Sequence, residues 1–140
     1  MFYNPTLNIT ILNNWNIGQG TWSATATAGS AQALAATAGF YATGLTGWVL
    51  PTGNGSVTAG AQNQYLSIFN QAASSFAGLS AQFDGVQSGD YWSGTEYAPN
   101  PDGAWVFRTF DGAQGLVGKN DALYAVAVRP GDVAAAVPEQ

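Results

Sequence analysis

Four acids in the last third of the chain, Glu96, Asp102, Asp111 and Asp121, are the residues best suited to chemistry. Carboxylate oxygens serve as calcium ligands and, in pairs, as the acid and base of glycoside cleavage. Cleavage needs two carboxylates roughly 5 to 10 Å apart across the substrate. Glu96 and Asp102 share one loop, and their spacing in sequence fixes no such distance. Calcium needs about six to eight oxygens, whereas these acids are scattered, and turn chemistry alone accounts for an Asp before Gly112. No cofactor is expected, calcium being the one ion these acids could accept.

Other reagents are missing from the chain. There is no Cys and no His, which excludes a thiolate nucleophile, a disulfide, Cys-ligated zinc and the commonest general base. Gly18 and Gly20 precede no Lys-Ser/Thr, so no phosphate loop is present. With 3 basic residues the chain cannot match a row of phosphates, and nucleic acid is excluded as a partner. The expectation is a protein that is not an enzyme.

Recognition is the chemistry that remains. Tyr91, Trp92, Tyr97 and Trp105 carry rings able to stack on sugar faces. Rings of this kind also dominate cores, and Tyr91, Trp92 and Trp105, with Val126 and Val128, are read as core. Tyr97 sits in the loop TEYAPNPDGA, where Pro99 and Pro101 restrict the backbone and Asn100 and Asp102 offer polar tips. The candidate ligand-binding residues are Glu96, Tyr97, Asn100, Asp102, Arg108, Asp111 and Lys119. Arg129, one of the few cations, is assigned to a structural ion pair with Asp132 or Glu96.

These residues must be held by elements that the patterning predicts. Residues 7–12 (LNITIL) alternate, with Leu7, Ile9 and Ile11 on one face and Asn8 and Thr10 on the other, as in a strand. Ala31, Leu34, Ala35 and Ala38 recur at helical spacing, with Ser30 to cap the start and Gly39 to end it. A turn is expected after Leu50, where Pro51 cannot donate to a ladder. Tyr65, Ile68, Phe69, Ala72 and Phe76 predict a second helix ending near Gly78. Short strands follow at 90–93, 104–110, 114–117 and 122–129, with Asp111-Gly112 as a hairpin signal. Tyr124, Val126 and Val128 face one way in the last. The order predicts an α+β fold, two helices on short antiparallel sheets.

At 140 residues this is one domain, 1–132, with a core, since 46% of residues are hydrophobic and 13% aromatic. Only 8% are charged, and none precedes Asp84. The uncharged residues 1–83 hold no 18-residue apolar run, so no membrane span is expected and the chain reads as soluble, without a signal peptide.

LNITIL, an Ala-rich helix, GWVLPT, YWSGTEY, AWVF and LYAVAVRPGD occur in an order that resembles the Legionella collagen-like adhesin C-terminal domain family, over nearly the whole chain. The resemblance implies a C-type-lectin-like fold in which N- and C-terminal strands pair and a long loop region presents ligands. GWVLPT is similar to the family's W-R-L-P-T, with Val49 where a basic residue is common, and an acid often found after Thr52 is absent. NPDG resembles the calcium-site tripeptides of true C-type lectins, but AWVF lacks their carboxamide and carboxylate pair. Formylglycine-generating relatives of the fold rely on cysteines that this chain lacks. The tail at 133–140, VAAAVPEQ, resembles the start of a truncated PEP-CTERM sorting signal, with Gln140 in place of the second Pro. It implies export to the bacterial envelope or beyond and processing near the tail, the present chain being the mature region with Met1 added or exposed.

Three functions follow as expectations. The first is an extracellular or cell-surface domain that recognises a glycan or protein through residues 96–119. The second is a structural or self-assembling subunit of a matrix or filament, since the uncharged residues 1–83 give copies little charge repulsion. The third is a binding scaffold diversified by a retroelement.

Overall fold

Tyr91 and Trp92 are consecutive, and both are completely buried. Successive side chains of a strand point to opposite faces, so the sheet that holds this pair must be covered on both sides. The computed structural model describes residues 1–133 and shows how that is done. The expected sorting-signal tail lies, beyond Val133, outside the described residues.

The described chain is α+β. It runs β1 (Phe2–Asn4), β2 (Ile9–Ile11), β3 (Gln19–Gly20), α1 (Ala31–Thr43), α2 (Gln64–Gln71), α3 (Phe76–Gln82), β4 (Asp90–Glu96), β5 (Gly103–Arg108), β6 (Gln114–Gly118), β7 (Leu123–Tyr124) and β8 (Val128–Pro130). One sheet has the order β3-β7-β4-β5-β6 and the other β1-β2-β8. Neighbours are antiparallel except β4 and β7, which run parallel where Tyr91 meets Tyr124. The antiparallel expectation fails at that one pair.

On one face of the larger sheet, Tyr91 and Phe107 pack against Tyr65, Ile68 and Phe69 from α2, Leu79 from α3, Phe83 and Trp15. Tyr65 stacks on Phe107 with centroids 5.4 Å apart, and Trp15 meets Tyr91 edge-on at 5.5 Å. On the other face Trp92, Ala104 and Val106 pack against Ala31 and Ala35 of α1, Trp48 and Leu50. Residues 125–128 serve both cores, Val126 and Val128 the first, Ala125 and Ala127 the second. Rings buried this completely cost about 3–5 kcal/mol when cut back to alanine.

Several elements depart from the periodicity for local reasons. The expected strand at 7–12 shortens to Ile9–Ile11, because Asn8 turns into the left-handed region (φ 51°) to close a hairpin with β1, which was not anticipated. Thr10, on the polar face of the alternation, is wholly buried: its hydroxyl donates to the Gly131 carbonyl at 2.7 Å and accepts from the Val133 amide at 3.1 Å. Strand β2 pairs antiparallel with β8, which joins the two ends of the described chain. The strand expected at 122–129 divides between two sheets as β7 and β8, since residues 125–127 must cross from one to the other.

Ser30 caps α1 as expected, its hydroxyl accepting from the Ala33 amide at 3.1 Å. Gly39 does not end the helix. It lies inside, under the indole of Trp48, where a Cβ would stand 1.9 Å from the ring. The helix stops at Gly44, which takes φ 72° and donates to the Phe40 carbonyl at 2.7 Å. The second predicted helix is two helices, giving three among the described residues. Ala73 and Ser74 adopt positive φ, and the Ser75 hydroxyl restarts the chain by capping Gly78 at 2.9 Å. Gly78 therefore lies within α3, at a close crossing where a Cβ would meet the Ala72 carbonyl oxygen at 1.7 Å. No turn follows Leu50. Val49 exchanges two backbone bonds with Val128, and the chain continues to Pro51, whose carbonyl accepts from the Gly94 amide.

Gly39→Ala tests the close approach. The helix gains about 1 kcal/mol of intrinsic propensity, yet the collision with a buried indole costs more, so urea denaturation is expected to show a net loss of roughly 2 kcal/mol.

Candidate functional site

Strand β4 carries a bulge between Trp92, opposite Val106, and Glu96, opposite Ala104. Ser93 anchors it, fully buried, with its hydroxyl donating to the Trp105 carbonyl at 2.7 Å. Bulges re-aim the side chains that follow them, and here Glu96 is delivered to Lys119 at 2.6 Å. The Lys119 ammonium also lies 4.6 Å from the Trp22 ring. Trp22 is itself fixed by its indole N–H, which donates to the Ser93 carbonyl at 2.8 Å. Glu96 and Lys119 thus form a clasp between β4 and the end of β6, so Arg129 is not the partner of Glu96. Arg129 donates instead to the Thr46 carbonyl at 2.6 Å.

Beyond the bulge the proline-bearing loop folds on itself through backbone bonds. The Tyr97 amide donates to Gly103, Asn100 to Tyr97 and Gly103 to Asn100, at 3.0 to 3.2 Å. The Asn100 side chain accepts from the Asp102 amide at 3.3 Å. Tyr97 leans edge-on against Trp105 with centroids 5.6 Å apart. Trp105 is only partly buried, contrary to its expected place in the core. It stands opposite Leu116 in the β5–β6 register, at the open end of the sheet face, and its ring lies on Gly55. A Cβ there would approach within 2.4 Å, and Gly55 also holds φ 74°, which only glycine adopts freely.

Tyr97, Asn100, Asp102, Leu116 and Gly118 line a shallow cavity of about 240 Å³. Asp102 and Gly118 also border a second, more polar hollow of about 670 Å³ with Lys119, Asn120 and Asp121. The structure therefore brings together Tyr97, Asn100 and Asp102, with Lys119 at the margin.

Arg108 and Asp111 stand apart, at the other end of β6, which at about 3.3 Å per residue is some 15 Å away. They form a two-pronged pair, Nε to Oδ1 at 3.0 Å and Nη2 to Oδ2 at 2.7 Å, both exposed. Asp111 also accepts from the Ala113 amide within the β5–β6 hairpin, as the Asp-Gly signal anticipated. The guanidinium lies 4.7 Å from the Phe110 ring. This pair serves the turn.

The acids do not gather. Glu96 is taken by Lys119 and Asp111 by Arg108, and no group of three or more Asp or Glu residues among the described residues could hold a metal ion. Tyr65 and Tyr91 are the deeply buried ionisable groups. Burial raises both, Tyr91 up to about 12, and their hydroxyls donate to the carbonyls of Trp92 and Trp15. Both stay protonated at neutral pH and brace the core.

Sequence reasoning missed Trp22, Gly55 and Leu116. Leu116 was placed in the strand at 114–117 but not singled out, because a Leu-Val pair between glycines does not say which of the two reaches the cavity, and Trp22 opens a stretch of alternating small residues that carries no charge or binding motif. It also missed Asn63, fully buried, whose amide donates to the Ser56 carbonyl and the Gln114 side chain, both at 2.9 Å, tying the long loop before α2 to β6. Comparison with protein-family models finds no match. Comparison with curated proteins finds none either.

The Arg108 hydrogen bond, then the Ala113 amide, holds the Asp111 carboxyl below its ordinary value. A folded-state value below the unfolded one means that the pair's small contribution is complete at neutral pH and fades as pH falls below the ordinary carboxylate range. An NMR titration is expected to show Asp111 titrating below the ordinary aspartate value, and Arg108→Gln to return it toward that value.

Proposed function

We propose that this domain is a non-catalytic recognition module, of the kind found in Legionella collagen-like adhesins, with a C-type-lectin-like fold and a place outside the cell or on the bacterial envelope. Its ligand is a glycan or a protein, met by the loops and strands of residues 96–119. The observation that carries the reading is the meeting of Tyr97, Asn100 and Asp102 in one cavity beside Trp105 and Leu116. A partly buried aromatic pair beside an amide and a carboxylate offers ring edges and polar tips to one ligand, on a loop fixed by a rigid sheet. Support for a binding role over a catalytic one comes from Glu96 and Asp111, whose carboxylates are held by cations.

A second reading, a self-assembling subunit, is favoured by Phe40 at 50% and Tyr41 at 83% exposure, which border a hollow of about 360 Å³ on the uncharged half of the chain. Replacing both with Lys would abolish association seen by light scattering if that face joins copies.

The leading reading is tested by glycan arrays and immobilised matrix proteins. The triple variant Tyr97→Ala, Asn100→Ala, Asp102→Ala is expected to lose at least about tenfold in affinity, 1.4 kcal/mol, with an unchanged circular dichroism spectrum. Full binding by the variant would move the site elsewhere.

A further inference from the structure

The β6 edge of the larger sheet is built to receive one more strand. The Arg108 amide donates to the Ala113 carbonyl and the Lys119 amide to the Asp102 carbonyl, which frames the β5–β6 ladder. By the two-residue period, Gly115 and Val117 face β5, while the backbone groups of Gln114, Leu116 and Gly118 point away from the sheet. Gly118 spends its carbonyl on the Asp121 amide. Among the described residues, nothing takes up the N–H or C=O of Leu116. The edge, QGLVG, has no charge and no proline, the devices by which exposed edges resist pairing. At Gly118 the space beside the strand is open, since a Cβ there would meet nothing within 4 Å.

Cavities flank this edge on both faces. At the Tyr97 end, on the Trp105 and Leu116 face, lies the 240 Å³ cavity. At the Arg108 end, another of about 260 Å³ is lined by Asp90, Val106, Arg108, Gly115 and Val117. Val106 and Val117 belong to the opposite face, with Trp92 and α1. An added strand sends alternate side chains to opposite faces, so it meets a hollow on each side of the sheet.

Charge decides the occupant. Arg108 and Lys119 are each matched by an acid, which leaves Asp90, Asp102 and Asp121 as surplus negative charge in the hollows along β6. A second copy would set this acidic rim against itself, whereas a strand with basic residues at its ends meets opposite charge at both.

We infer that β6 binds an extended peptide segment of another protein, apolar or uncharged at its centre and basic at its ends, by strand addition. The inference deepens the proposed recognition surface and rests on that reading.

The test uses the peptide KVTVTVK and its acidic counterpart EVTVTVE, capped at both ends, with hydrogen exchange at the Leu116 amide as readout. KVTVTVK is expected to slow exchange at Leu116 and EVTVTVE to leave it unchanged. Leu116→Lys adds a repelling charge without altering the backbone, and it is expected to raise at least tenfold the KVTVTVK concentration that half-protects the amide of residue 116. No protection at millimolar peptide, or equal protection by both peptides, overturns the inference. So does protection of Leu116 that grows with protein concentration alone, which identifies a second copy as the occupant. The two readings fail separately: strand addition fails with the peptides, and the wider surface fails if the Tyr97, Asn100 and Asp102 variant keeps its glycan or matrix ligand.

Discussion

Tyr91 and Trp92, neighbours on one central strand, are the constraint on which the remaining architecture depends. Two large rings cannot be buried side by side on a strand unless each face of the sheet has its own cover. The chain meets that demand with α2, α3 and Trp15 on one side and α1, Trp48 and Leu50 on the other. Each ring also carries a polar atom that must be satisfied inside. The Tyr91 hydroxyl reaches the Trp15 carbonyl at 2.6 Å, and the Trp92 indole reaches the Gly20 carbonyl at 2.9 Å. These bonds tie the irregular segment before α1 to the sheet, so the loops become part of the packing.

The covers account for the glycine-rich, alanine-rich composition. An indole pressed onto a helix needs a position without a side chain, which Gly39 supplies, and the α2–α3 crossing needs Gly78. Alanines at 31 and 35 let α1 approach the sheet closely. Charged side chains have no place at such contacts, and the two ion pairs lie at opposite ends of β6, Glu96 with Lys119 and Arg108 with Asp111. The proposed recognition surface lies on β5, β6 and the loop after β4: the bulge after Trp92 turns Glu96 to Lys119, and Trp105 stands opposite Leu116 in the β5–β6 register.

Polar clasps do the remaining positioning. Asn63 and Gln114 fasten the long loop to β6, and that loop brings Gly55 under Trp105. The Tyr97 ring stands against Trp105, so the cavity depends on a loop some forty residues earlier in the chain. This dependence explains why Trp105 reads as a core residue from its strand alone and is only partly buried in the structure.

The sequence by itself determined the α+β class, the cap at Ser30, the Asp-Gly hairpin, the burial of Tyr91, Trp92, Val126 and Val128, and the loop in which Tyr97, Asn100 and Asp102 meet. These follow from short-range periodicity and turn chemistry, which act within a few residues. Only the tertiary structure decided that Gly39 and Gly78 lie inside helices, that residues 122–129 divide between two sheets, that Thr10 is buried, and that Arg108 and Asp111 stand at the far end of β6 from Tyr97. The deciding contacts lie outside the periodicity of any one element: Trp48 over Gly39, the Ala72 carbonyl at Gly78, the Gly131 carbonyl on Thr10, and the Asp102 carbonyl accepting from the Lys119 amide at the end of β6. A glycine that ends a helix and one that admits a ring look alike until the ring is in place.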